Sequence, residues 1–221
     1  MINKTIKNFI MLFVGLFICS AAIVLMINAN LGLSPWDVLH QGISNKINVT
    51  IGTASILVGV IVVALDVILG ENIGWGTLIN MFFVGYFMDL IIFSGYIPVA
   101  DNVFMGIIML ILGMIVMGFG MVMYLSSGMG SGPRDGMMLA LQKKSNKPVK
   151  VIRTTMEIGA LIVGCFLGGK VGIGTLITAF GLGYTIQIVY KICKFKGENV
   201  NHRFIVDDLN YMKSNLSKNI K

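Results

Sequence analysis

Two stretches decide the fold: Gly32-Leu33-Ser34-Pro35-Trp36-Asp37 and, 98 positions later, Gly130-Ser131-Gly132-Pro133-Arg134-Asp135. Each interrupts an apolar run, and each reads as a helix opening. In the first, Ser34 stands at the N-cap, Pro35 at the first helical position and Asp37 in the first turn, beside the positive end of the helix dipole. In the second, Gly132 takes the cap position and Pro133-Arg134-Asp135 follow. The first helix continues to Ile47, giving 13 residues, or ~20 Å at 1.5 Å each. That is short of a ~30 Å hydrocarbon core. Pro35–Ile47 and Pro133–Lys144 are therefore expected as half-helices, re-entrant or interfacial.

The surrounding runs are long and apolar. Of 221 residues, 56% are hydrophobic and 12% charged, and the mean hydropathy is +0.85. A soluble domain carries about 25% charge. Strand-like alternation is absent, which favours helices over a barrel. Spans are expected at Phe9–Ala29, Ile51–Leu69, Thr77–Phe93, Val103–Leu125, Val151–Gly168 and Thr175–Lys191. The first is too long for a signal-peptide core and reads as a retained span. The fold class is thus an all-α membrane protein with six transmembrane helices and two half-helices.

An internal repeat organises these elements. Pro35 and Asp37 match Pro133 and Asp135; Gly74-Trp75-Gly76-Thr77-Leu78-Ile79 matches Gly172-Ile173-Gly174-Thr175-Leu176-Ile177; Gly85-Tyr86 matches Gly183-Tyr184, all at an offset of 98. The first repeat is 1–94, the linker 95–102, the second repeat 103–192, and a basic tail fills 193–221. Three crossings per repeat make the halves inverted. With six crossings, 15 of the 17 Lys and Arg share one side with both termini, and the positive-inside rule makes that side cytoplasmic. A rival count takes the half-helices as full crossings, giving eight spans and parallel halves. It satisfies the charge rule about as well, and only helix length opposes it.

The net charge of +7 flanks apolar runs and forms no single basic face, so nucleic acid is not an expected partner. Cys19, Cys165 and Cys193 form no CxxC and read as small hydrophobes. Sixteen methionines, without Cys or His at ligand spacing, read as pliable packing and no metal site. No cofactor is implied. Neither HExxH, a Walker motif nor a Ser/His or Asp/Asp pair on spanning helices is found, so no enzyme is expected.

At this point a resemblance enters. Gly-x-Ser-Pro-Trp-Asp at 32–37, Gly-Pro-Arg-Asp-Gly at 132–136, Arg153 followed by Glu157, and the doubled Gly-x-Gly-Thr-Leu-Ile resemble the YczE/YyaS/YitT group of bacterial membrane proteins, most closely its YczE-type branch. The likeness covers Phe9 to about Cys193. It implies a multi-pass protein of the bacterial cytoplasmic membrane and says little about cargo.

Inverted repeats with a broken element in each half are the pattern of many secondary transporters and some channels. A half-helix ending inside the membrane presents unpaired N–H groups and a positive dipole end, which attract anions. The substrate site is expected between the two half-helix starts, with Ser34, Trp36, Asp37, His40, Gly132, Arg134 and Asp135. Arg134 either holds an oxyanion bidentately or pairs with headgroups or Asp135. Asp37 and Asp135 read first as dipole partners and only second as substrate or proton groups. His40 is a proton relay or a polar residue beside a wet vestibule. Arg153 and Glu157, four apart on one helix face, form either a gating or coupling pair or a structural ion pair near the cytoplasmic end. Asp66 and Asp89 are expected at helix ends, and Gly59, Gly85, Gly113, Gly118, Gly120, Gly181 and Gly183 at helix interfaces.

The function expected is transport or channelling of a small anionic or zwitterionic solute. The alternative is an accessory or regulatory membrane protein acting through its tail and cytoplasmic loop. Expected partners are the lipid bilayer, the solute and either a second copy or an accessory protein.

Overall fold

The computed structural model describes residues 2–197, 200 and 204–207. Eight helices follow in order: α1 Ile2–Asn28, α2 Pro35–Ile47, α3 Ile51–Leu69, α4 Trp75–Ser94, α5 Val103–Ser126, α6 Pro133–Ser145, α7 Val149–Phe166 and α8 Ile173–Ile192. The expected bounds of α2 and α3 are met, and α1 begins earlier than expected. Most of the basic tail lies outside the described residues, and with it most of Phe204 to Leu216, a stretch whose sequence reads as weakly amphipathic. Where it is described, Ile205 N–H donates to Ile73 C=O at 3.0 Å.

Among the described residues five helices are long and apolar enough to cross a membrane: α1 (from Thr5), α3, α4, α5 and α8. The expected fifth span, α7, falls short of that measure. Its 18 residues carry three charges, Lys150, Arg153 and Glu157, more than the other long apolar helices carry in an 18-residue stretch. Large apolar side chains such as Ile61, Ile68 and Phe104 face outward, as in a lipid-facing surface.

The breaks between helices sit where the sequence supplies residues that tolerate positive φ. Of the ten described residues in that region, eight form pairs at the repeat offset: Asn30 with Gly128, Gly32 with Gly130, Asn48 with Asn146, Gly70 with Gly168. Gly32 and Gly130, at φ 106° and 122°, need glycine both for this backbone and because their neighbours leave no room for a Cβ. A Cβ on Gly32 would meet Gly172 and Thr175; one on Gly130 would meet Gly74 and Thr77. These are the same contact, 98 residues apart.

Other contacts recur likewise. Gly76 N–H donates to Met129 C=O at 2.7 Å, and Gly174 N–H to Leu31 C=O at 2.7 Å. α1 and α5 pack antiparallel along their length: Gly15 meets Tyr124, Gly120 meets Cys19, Gly113 meets Ala22 and Met26, and Gly106 meets Ala29. Small residues let these backbones approach. Leu12, Leu16, Val24, Met88 and Leu110 fill the core beside this pair. α4 packs on α1 and α8 on α5; α2 crosses α7, and α6 crosses α3.

Each half-helix keeps both ends near one inter-helix loop. For α2 this is the α7–α8 loop: Leu33 N–H donates to Lys170 C=O (3.3 Å) and Asn45 Nδ2 to Gly168 C=O (3.3 Å). For α6 it is the α3–α4 loop: Thr77 Oγ1 donates to Ser131 C=O (2.7 Å), and Lys143 pairs with Glu71 (2.7 Å).

One pair breaks the pattern. α3 packs closely on α4, but α7 does not pack on α8. Gly85 presses on the Gly52 backbone, and Asp89 fixes the contact by accepting from Thr50 Oγ1 (2.5 Å) and Gly52 N–H (2.9 Å). Gly183, the counterpart of Gly85, has nothing within 4 Å of a would-be Cβ. The expected interface at Gly183 is therefore not made. Those at Gly59, Gly85, Gly113, Gly118, Gly120 and Gly181 are.

Candidate functional site

The first turns of α2 and α6 meet at the centre of the bundle. Trp36 and Arg134 hold equivalent places in the two repeats, and the Arg134 Cζ lies 4.5 Å from the centre of the Trp36 ring. Two arginines here would repel. A guanidinium over an indole face is instead attractive by ~0.5–2 kcal/mol. The difference between the two motifs is what lets their starts touch.

A polar chain runs back from this contact into α2. Arg134 Nη2 lies 3.3 Å from His40 Nε2. His40 Nδ1 faces Asp37 Oδ1 at 3.3 Å, not aligned as a hydrogen bond, and neither atom has another partner. Asp37 Oδ2 accepts from Ser34 Oγ at 2.5 Å, while Ser34 Oγ caps α2 by accepting from Asp37 N–H at 3.4 Å. Asp37 and His40 are 3% and 1% exposed, so within this chain only the cavity side is open to solvent.

α6 has no side-chain cap, because Gly132 has no side chain. The Tyr124 hydroxyl, from α5, accepts from Gly132 N–H at 3.2 Å and donates toward Asp135 Oδ2 at 3.4 Å. Sequence reading missed Tyr124. It lies inside an apolar run, and nothing in the spacing tied it to Gly132.

In front of these turns lies a cavity of about 840 Å³, walled by all eight helices. Ser34, Trp36, His40, Gly132, Arg134 and Asp135 line it, and Asp37 stands behind them. Met81, Met117, Met121 and Met138 give it a pliable apolar wall; Asn80, Thr178 and Gln187 add neutral polar groups. Arg153 and Glu157 line the side formed by α7, with Arg153 Nε donating to Glu157 Oε1 at 3.0 Å. The separation of α7 from α8 leaves this side open. Among the described residues Arg134 forms no ion pair with a carboxylate.

Of the two aspartates expected at helix ends, Asp66 is placed there and Asp89 lies more than one turn inside. Asp89 lies within α4 and tethers the start of α3. Asp66 lies in the last turn of α3 and is 1% exposed, against Gly136 of α6, and its Oδ1 has no hydrogen-bond partner.

Residues 6–191 match a family of unknown function, DUF6198. The chain is 32% identical over 179 residues to the uncharacterized membrane protein YczE of Bacillus subtilis, covering 79% of this chain and 81% of that one. It is 32% identical over 168 residues to an uncharacterized protein of Haemophilus influenzae, covering 76% of each. It is also 32% identical over 182 residues to the uncharacterized protein YyaS of B. subtilis, covering 81% of this chain and 90% of that one. No solved structure matches the chain.

Proposed function

This chain belongs to the DUF6198 family, and from that premise we propose that it is a transporter or channel for a small anionic or zwitterionic solute, bound between the starts of α2 and α6. The observation that carries the reading is Arg134. A guanidinium inside a membrane protein is costly without a close counter-charge. This one stands half-buried on a cavity wall, held by Trp36 and His40, with Asp37, Asp135 and Glu157 nearby but, among the described residues, no carboxylate at ion-pair distance. An oxyanion would complete it with charge-assisted hydrogen bonds, and the positive dipole ends of two helix starts would add to the attraction.

The membrane arrangement we propose has six crossings in two inverted repeats, both termini in the cytoplasm and the half-helices re-entrant. The antiparallel α1–α5 pair supports inversion. The contact of Trp36 with its own counterpart supports a local two-fold axis there. The return of each half-helix to one loop supports re-entry. An eight-crossing path would put Glu71 and Lys143 on opposite faces, ~30 Å apart, whereas they touch at 2.7 Å. α7 is then the sixth crossing, its charged face turned to the cavity. The cavity opens to the cytoplasm between α7 and α8, and α3 and α4 close the other side.

A thermal-shift screen of the purified chain tests the binding reading. A ligand that binds only the folded state raises the melting temperature. A small anion or amino acid is expected to stabilise the wild type and not Arg134→Ala. Loss of two charge-assisted hydrogen bonds at ~1.5–3 kcal/mol each corresponds to roughly a hundredfold weaker affinity or more. If anions and amino acids leave the wild type unmoved, the reading fails.

A further inference from the structure

We propose that His40 Nε2 is a proton-binding site, and that a proton there and the Arg134 contact exclude one another. The proposal rests on the anion reading above and adds the coupling ion. Arginine carries donors only. At 3.3 Å, Arg134 Nη2 therefore donates and His40 Nε2 accepts through its lone pair. This leaves His40 neutral, with its one proton on Nδ1, toward Asp37 Oδ1 at 3.3 Å. Ser34, bonded to the other Asp37 oxygen, holds that carboxylate in place.

A proton from cavity water adds to the same lone pair. One N–H bond forms, and the Arg134–His40 hydrogen bond is lost. Two cationic donors then face each other, so the guanidinium turns from the imidazole toward the cavity, or an anion enters and accepts from both. Either way a proton on His40 favours an anion on Arg134, and by linkage the anion favours the proton. Charged and titratable groups around the pair are Asp37 on α2, Arg134 and Asp135 on α6, Lys150, Arg153 and Glu157 on α7, Tyr124 on α5 and Cys19 on α1, with Asp66 in the last turn of α3 against Gly136 of α6. The part of α8 on the cavity presents Thr178, Gln187 and Tyr184. Asp37 supplies the negative charge that makes an imidazolium tolerable here. The cavity would then take up one proton with each anion. Anion affinity would rise by up to ~10-fold per pH unit on acidification across the histidine range.

The chain has two histidines, His40 and His202, which makes the test direct. The full chain carrying ¹⁵N-histidine is studied in lipid nanodiscs from about pH 8 to pH 5, with His40→Gln assigning the signals. At high pH His40 is expected with Nδ1 protonated and Nε2 bare; on acidification both nitrogens become protonated. Arg134→Met, which removes the donors, is expected to raise the midpoint, and so are sulfate and glycine added to the wild type. An Nε2–H tautomer at high pH overturns the proposal, as does a His40 that stays neutral throughout or an Arg134→Met midpoint equal to the wild type. If that variant does not fold, the wild-type tautomer and titration decide alone. If His40 behaves as expected but neither sulfate nor glycine moves its midpoint or stabilises the protein, the proton site holds and the transport reading fails. If they stabilise the protein while His40 stays indifferent, the reverse is true.

Discussion

At the scale of the residue, the two half-helix openings satisfy different backbone donors. The Ser34 hydroxyl accepts from Asp37 N–H in the first turn of α2, whereas the Tyr124 hydroxyl accepts from the N–H of Gly132 itself at the start of α6. Tyr124 is 4% exposed, so Tyr124→Phe would leave the Gly132 N–H buried without an acceptor. Such an orphaned donor costs about 1–3 kcal/mol, and the apparent melting temperature in detergent should fall by several degrees. Ser34→Ala should fall comparably, since a lost N-cap costs ~1 kcal/mol and here also frees Asp37 Oδ2. A Tyr124→Phe protein that melts with the wild type would show the hydroxyl to be idle. The first turns were legible in sequence because Ser-Pro-x-Asp is a local signal, set by chemistry within four residues. Tyr124 and the meeting of Trp36 with Arg134 were not, because both depend on how distant helices are laid together.

At the scale of the element, the repeat that makes the halves alike also shows where they part. Half-helix bounds, loop positions and the shared offset were legible because caps, Gly-x-Gly-Thr turns and apolar length are written locally. The separation of α7 from α8 was not. It depends on Lys150 and Gln187 standing where Gly52 and Asp89 lock α3 to α4. A Lys side chain cannot occupy the slot that Gly52 leaves for the Gly85 backbone, and Gln187 carries no charge to hold a helix start. Alanine at the equivalent glycines should therefore give opposite results. A Cβ on Gly85 meets the Gly52 carbonyl oxygen and the Ile56 side chain, an overpacking that typically costs 1–3 kcal/mol. A Cβ on Gly183 meets nothing, and alanine in a helix interior is favoured over glycine by roughly 0.5–1 kcal/mol. Melting temperatures should fall for Gly85→Ala and hold or rise for Gly183→Ala. Equal losses at both sites would mean that α8 packs on α7 as α4 does on α3.

At the scale of the whole molecule, everything turns on which loops share a face. Contacts sort the loops into two groups. Residues 70–77, 126–132 and 143–150 are joined by Gly76–Met129, Thr77–Ser131 and Glu71–Lys143. Residues 29–34, 45–50, 95–102 and 167–174 are joined by Leu31–Gly174, Asn45–Gly168 and Asn28–Ala100. The first group is rich in Lys, which the positive-inside rule assigns to the cytoplasm; the second holds Lys46 and Lys170. Single cysteines test this in a background where Cys19, Cys165 and Cys193 are replaced. With six crossings and cytoplasmic termini, Tyr96→Cys should react with a membrane-impermeant maleimide in intact cells. Asn72→Cys and Lys144→Cys should react only after permeabilisation. Eight crossings from the same start would expose Asn72→Cys and hide Tyr96→Cys and Lys144→Cys. Six crossings in the opposite sense would expose both Asn72→Cys and Lys144→Cys. The three sites thus give a different pattern for each arrangement, and only the first keeps the Glu71–Lys143 ion pair on one face while opening the α7–α8 side of the cavity to the cytoplasm.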